Sequence, residues 1–72
     1  MIREGTQVRW KWGNGYAEGE VVERHEREIE KTIDGTKVSR NGAHDNPALV
    51  IRQGDGQTVL KLQSEVERAE AS

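Results

Sequence analysis

The side chains best suited to chemistry in this 72-residue chain are His25, His44 and the acids around them, and their spacing assembles no reactive centre. A metal site wants three or four convergent ligands, and a catalytic base wants a nucleophile held beside it. His44-Asp45 is the one tight acid–histidine pair, while Ser39 and Ser64 stand in no nucleophile motif. The glycines fall in turn signals, away from any strand-to-helix phosphate cradle. His44 therefore reads as a turn-stabilising or solvated residue. The expectation is a chain that is not an enzyme and that needs no metal or cofactor.

Binding is the chemistry the remaining residues can do. Trp10, Trp12 and Tyr16 are the whole aromatic inventory. A cage of such rings attracts a cation by about 0.5–2 kcal/mol per ring face. Trp10 shares the parity of Val8 and is expected in the core, which leaves Trp12 and Tyr16, beside a turn, as the rings a ligand could meet. Arg9, Lys11, Arg40, Arg52 and Lys61 all fall in predicted sheet segments. Gathered on one face, they would form a surface for an acidic protein partner or a nucleic-acid backbone. The net charge of −2 disfavours non-specific attraction to phosphate. Glu18, Glu20, Glu26, Glu28 and Glu30 read as a solvated strand edge that resists sheet-to-sheet pairing.

Composition bounds what can position these groups. A chain of 72 residues makes one domain, spanning 1–72, near the size at which a core suffices without staples. It has no cysteine, so no disulfide framework supplements that core, and the expected setting is a cytoplasmic, reducing one. No apolar run reaches bilayer-spanning length, so no membrane partner is expected.

The elements follow from patterning. Val8-Arg9-Trp10-Lys11-Trp12 alternates apolar with basic residues, which predicts a strand over residues 6–12 with both indoles turned inward as the heart of the core. Gly13-Asn14-Gly15 then predicts a hairpin turn. Residues 18–33 carry helical i,i+4 charge pairs, yet Val21, His25, Ile29 and Ile33 also share one face of a strand, and Asp34-Gly35 is a two-residue hairpin signal. A long bent strand is the reading, with Ile33 opposite Thr36 and Ile29 opposite Arg40. Asn41 is expected in a left-handed turn and Asn46 at the loop end before Pro47. Taking Asp55-Gly56 as the next turn places Leu49 opposite Leu62 and Ile51 opposite Leu60, with Val50 and Val59 on the far face. Residues 64–68 resemble a capped helical turn, and residues 69–72 a frayed tail. The sum is an all-β fold, a small five-stranded SH3-like or Tudor-like barrel with a short C-terminal helical turn. The small core, the long strand and the outward valines also suggest a homodimer formed by strand exchange.

The blocks Gly5-x-x-Val8-x-Trp10-x-Trp12, Glu18-Gly19-x-Val21-Val22, Arg40-Asn41-Gly42, Asn46-Pro47-Ala48, Asp55-Gly56 and Val59-Leu60-Lys61 with Ser64-Glu65 resemble, in order and spacing, the hypervirulence-associated protein family with a Tudor-like domain. The resemblance implies a Tudor-like β-fold and a binding or interaction module. It also marks two departures: Leu49 stands where that family often has an aromatic residue, and Gln63 where a histidine is common. An aromatic groove or a histidine that served the family would be weakened here.

Overall fold

The computed structural model describes residues 2–69 and contains no α-helix among them. Strands run at Gln7–Trp12 (β1), Gly15–His25 (β2), Glu28–Ile33 (β3), Thr36–Asn41 (β4), Ala48–Gln53 (β5), Thr58–Leu62 (β6) and Glu67–Arg68 (β7), with a 3₁₀ turn at Gln63–Glu65. Five of them form an antiparallel sheet in the order β6-β5-β2-β1-β7, and β3 and β4 form a separate two-stranded ribbon. The fold is all-β, as expected. The five-stranded barrel is not: β6 and β7 are unjoined edges, so the sheet curls without closing.

The run Ala48-Leu49-Val50-Ile51 explains the layering. An alternating strand feeds one core, whereas four consecutive apolar residues feed two. Leu49 and Ile51 join Ile2, Val8, Trp10 and Val21 on the concave side of the sheet. Ala48 and Val50 join Leu60 on the opposite side, under Ile29, Ile33 and Val38 of the ribbon. The valines that had suggested strand exchange are therefore covered within the chain: Val50 lies under the ribbon and Val59 packs on the concave core.

Three turns set the registers. Asp34 (φ 52°) and Gly35 (φ 76°) are both left-handed, the signature of a tight hairpin turn, and they align β3 with β4 from Ile33↔Thr36 to Ile29↔Arg40 as expected. At the first turn the loop residues are Gly13 and Asn14, with Gly13 alone at positive φ (58°), so Trp12 sits opposite Gly15. The expected pairing of β5 with β6 is wrong by one residue. Gly56 N–H bonds the Gln53 carbonyl (2.9 Å) and Gln53 N–H bonds that of Gln57 (2.7 Å), so the loop is Gly54-Asp55-Gly56. Gly56, at φ 90°, supplies the left-handed third residue such a loop requires. Leu60 therefore meets Val50, and Leu62 meets Ala48.

The expected single strand over 18–33 is interrupted. A bulge shifts the ladder between Val21↔Ile51 and Glu23↔Val50, which sends Val21 to the concave core and turns Glu23 and His25 to the ribbon side. The chain breaks again between β2 and β3 and re-enters as the ribbon. Gly42 returns the ribbon to the sheet through a passage with no room for a side chain, since a Cβ there would lie 2.5 Å from the His25 carbonyl oxygen and 2.7 Å from the Ala48 nitrogen. Asn41 is extended in β4 opposite Glu28 and not left-handed. Asn46 closes the Ala43–Asn46 bridge and accepts the Ser64 N–H on its side chain (2.9 Å). Ser64 thus lies inside the 3₁₀ turn, and Glu67 and Arg68 are extended against Arg9 and Val8. The expected tail begins ordered, Ala69 N–H bonding the Gln7 carbonyl at 2.9 Å, and its residues 70–72 lie outside the described residues.

Because Val50 is covered on the ribbon side, Val50→Thr keeps the shape but buries a hydroxyl among aliphatics, and urea unfolding should show a loss of about 1–3 kcal/mol. An outward-facing Val50 would tolerate the change with no measurable loss.

Candidate functional site

Parity along β1 turns Val8, Trp10 and Trp12 to the concave side, but depth differs sharply between them. Val8 and Trp10 are buried, whereas Trp12 is 72% exposed. The cause is the stagger of the strands. β5 runs beside β2 only from Gly19 onward, so the β1–β2 tip projects past it, and the residue opposite Trp12 is a glycine with no side chain to cover the ring. The expectation that both indoles fill the core is thus half right.

Trp12 walls a groove of about 410 Å³ at the mouth of the curled sheet. Trp10, Ala17 and Val59 supply its apolar surface, and Asp55 of the β5–β6 loop faces them with Gln53 and Gln57, the pair that closes that loop. Lys61 completes the lining. Strands β1 and β6, separated in the sheet by β2 and β5, meet across this mouth because the sheet curls.

Tyr16 is not part of it. Tyr16 pairs with Lys11 and so lies on the convex face, 59% exposed, with the Arg9 guanidinium 4.8 Å from its ring centroid. A cage of Trp12 and Tyr16 cannot form, since the two rings lie on opposite faces of one hairpin. Leu49, the departure expected to weaken an aromatic groove, is fully buried in the concave core and lines no groove. Gln63 accepts the Ile2 N–H on its side chain at 3.4 Å, a structural role.

The basic residues do not converge. Arg9 donates to Glu67 at 2.9 Å and stands in register with Glu18. Arg40 donates to Glu65 at 3.0 Å and to the Ser39 carbonyl at 2.8 Å. Arg52 is in register with Glu20 and borders a separate polar cleft with Glu18 and Glu20. Lys11 is on the convex face and Lys61 in the concave groove. The expected row of bases is therefore broken up by acids. Of the row of glutamates, Glu18 and Glu20 are on no strand edge, because β2 lies between β1 and β5, whereas Glu28 and Glu30 are exposed on β3, an edge of the two-stranded ribbon. Of the residues expected to bind, the groove gathers Trp12 and Lys61; the sequence reading missed Asp55 and Gln57, which the turn signal at residues 54–56 had marked only as loop.

The histidines bond acids. His25 Nε2 lies 2.9 Å from Glu23 Oε1, and His44 Nδ1 lies 3.2 Å from Glu26 Oε1, not on Asp45. His25 above all, with Lys31, holds the Glu23 carboxyl below its ordinary range. Arg24 first, then His44, does the same for Glu26. For Glu65, burial pushes upward, but the Leu62 N–H at 2.7 Å and Arg40 outweigh it and hold the group low. Among the described residues no three His, Asp or Glu converge in a metal-binding group, and none of the helical structure is long and apolar enough to cross a membrane.

The family model described as the TUDOR domain of hypervirulence associated proteins matches residues 5–66. The chain belongs to this family. The match runs from the turn before β1 to the residue before β7, so it takes in β1 to β6, every described core residue except Ile2, and the groove. Neither the curated proteins nor the solved structures contain a match to this chain.

A carboxyl whose value is depressed on folding contributes stability above its unfolded value and loses it as pH falls through the folded one. Urea unfolding from neutral pH down to about pH 3 should therefore show a steeper acid loss for the native chain than for Glu65→Gln. Parallel curves would show that the Leu62 and Arg40 bonds do not bias Glu65 titration.

Proposed function

We propose that this Tudor-domain chain is a single-domain, non-enzymatic binding module that takes a segment of a protein partner into the concave groove beside Trp12. The observation that carries this reading is an indole left largely in water at the rim of an apolar groove. Each ~100 Å² of that ring removed from water contributes ~2.5 kcal/mol, and Trp is enriched among the residues that dominate protein contacts. The groove lies between two hairpin tips, and Trp12, unlike Trp10 behind it, is not one of the buried core residues. Such a site is free to serve contact. We read the curled sheet as an opened counterpart of the SH3-like barrel, and the cysteine-free composition supports a cytoplasmic setting.

The ring arrangement favours an apolar or amphipathic segment over a caged cation. Trp10 offers little free surface, Tyr16 faces away, and Lys61 places a positive charge in the lining. A nucleic-acid reading has less support, because Arg9, Arg40 and Arg52 each have an acid in hydrogen bond or in register.

Trp12→Ser should leave the urea midpoint nearly unchanged, within about 0.5 kcal/mol, since the ring is mostly solvated. Arrayed amphipathic peptides, read by amide and indole NMR shifts, should perturb Trp12, Val59 and Lys61 in the native chain and lose binding in Trp12→Ser. Peptides that shift Tyr16 and Arg9 instead, or that bind Trp12→Ser equally well, would overturn this reading.

A further inference from the structure

The groove carries one acid and one base. Asp55 stands on the β5–β6 loop and, among the described residues, its carboxylate accepts only the Gln57 N–H at 3.0 Å. Lys61 stands on β6 and makes no ion pair among the described residues, acting on Glu65 only at longer range. Trp10, Ala17 and Val59 give the groove its apolar surface beside Trp12, and Gln53 and Gln57 are its uncharged polar lining. An occupant matching this pattern must bring a base to Asp55, an acid to Lys61 and an apolar face to the indole. This chain presents that pattern itself, because a two-fold axis brings each residue of a patch against its counterpart's neighbour, i to j and j to i.

We propose that the occupant is a second copy of this chain, docked groove to groove about a two-fold axis, with Trp12 of each copy covered by the other and Asp55 of each paired with Lys61 of its partner. This deepens the groove reading and rests on it. The small net charge of −2 sets up little repulsion between copies. Cores this small also stand to gain from oligomerisation, one of the devices by which small cores are supplemented. No strand leaves its own fold in this arrangement, unlike in strand exchange, since the ribbon already covers its own core.

Sedimentation equilibrium on the full chain, from about 1 µM to about 1 mM, should show a monomer–dimer equilibrium. A blue shift of tryptophan emission should accompany association as Trp12 leaves water. Asp55→Lys and Lys61→Asp should each weaken association at least tenfold, because each sets like charges together twice across the axis. An equimolar mixture of the two variants should restore it, since one chain then carries two bases and the other two acids. Urea midpoints of both variants confirm that they are folded. A monomer throughout that range, or a mixture no tighter than either variant alone, overturns the proposal. If the monomer still binds peptides at Trp12, the groove reading stands and only the two-fold pairing is lost; if Trp12→Ser abolishes neither, both are lost.

Discussion

Everything in this fold depends on β5 being buried on both faces. Leu49 and Ile51 are fully buried on one side, and on the other Ala48 is fully buried and Val50 almost so, so the strand can be satisfied only by a three-layer arrangement. The sheet must curl to enclose the first face, and something else must cover the second. The β3–β4 ribbon is that cover. It has to be long enough to reach across β6 and tethered closely enough to stay there, and the crowded passage at Gly42 is the consequence. Ile29, Ile33 and Val38 are thereby committed to shielding the back of the sheet.

That commitment determines where a contact surface is left. The ribbon occupies the convex side of β5 and β6, while β7 and the 3₁₀ turn occupy the edge of β1. The mouth of the curl, between the β1–β2 tip and the β5–β6 loop, receives no cover. It is also where strand stagger leaves Trp12 without a neighbour. Ion pairs have been spent elsewhere, on Arg9–Glu67, Arg40–Glu65 and Arg24–Glu26, all away from this mouth. The open groove is a remainder of how the two cores are closed.

Hairpin turns are readable from residue type because Asp34-Gly35 tolerates positive φ at two adjacent positions, which is enough to set the β3–β4 register. The same logic failed at residues 54–56 for an identifiable reason. Asp55-Gly56 is as good a two-residue signal as Asp34-Gly35, and the choice between it and a three-residue loop depends on what the strands must bury. Aligning four large aliphatics on one face looked favourable only under the assumption of a single core. With two cores, both faces of β5 need partners, and the one-residue shift supplies them. The bulge at Val22 has the same origin: it moves His25 off the face of Val21, and the break before β3 carries Ile29 and Ile33 to the second core, changes that no periodicity in residues 18–33 announces.

Trp12 shows why the site was harder to read than the fold. Alternation assigns a side chain to a face, and it did so correctly for Val8, Trp10 and Trp12 together. Depth along that face depends on how far the next strand extends, which is a property of β5 and its register with β2, some forty residues away in sequence. A pattern rule therefore cannot separate a core indole from a rim indole at successive positions of one face. Stagger can, and it also explains why Asp55 and Gln57 enter the groove: the loop that stops β5 short of the tip is the one that faces Trp12. The ring is exposed and the loop is opposite it for a single geometric reason, so lengthening β5 toward the tip would bury Trp12 and erase the groove together.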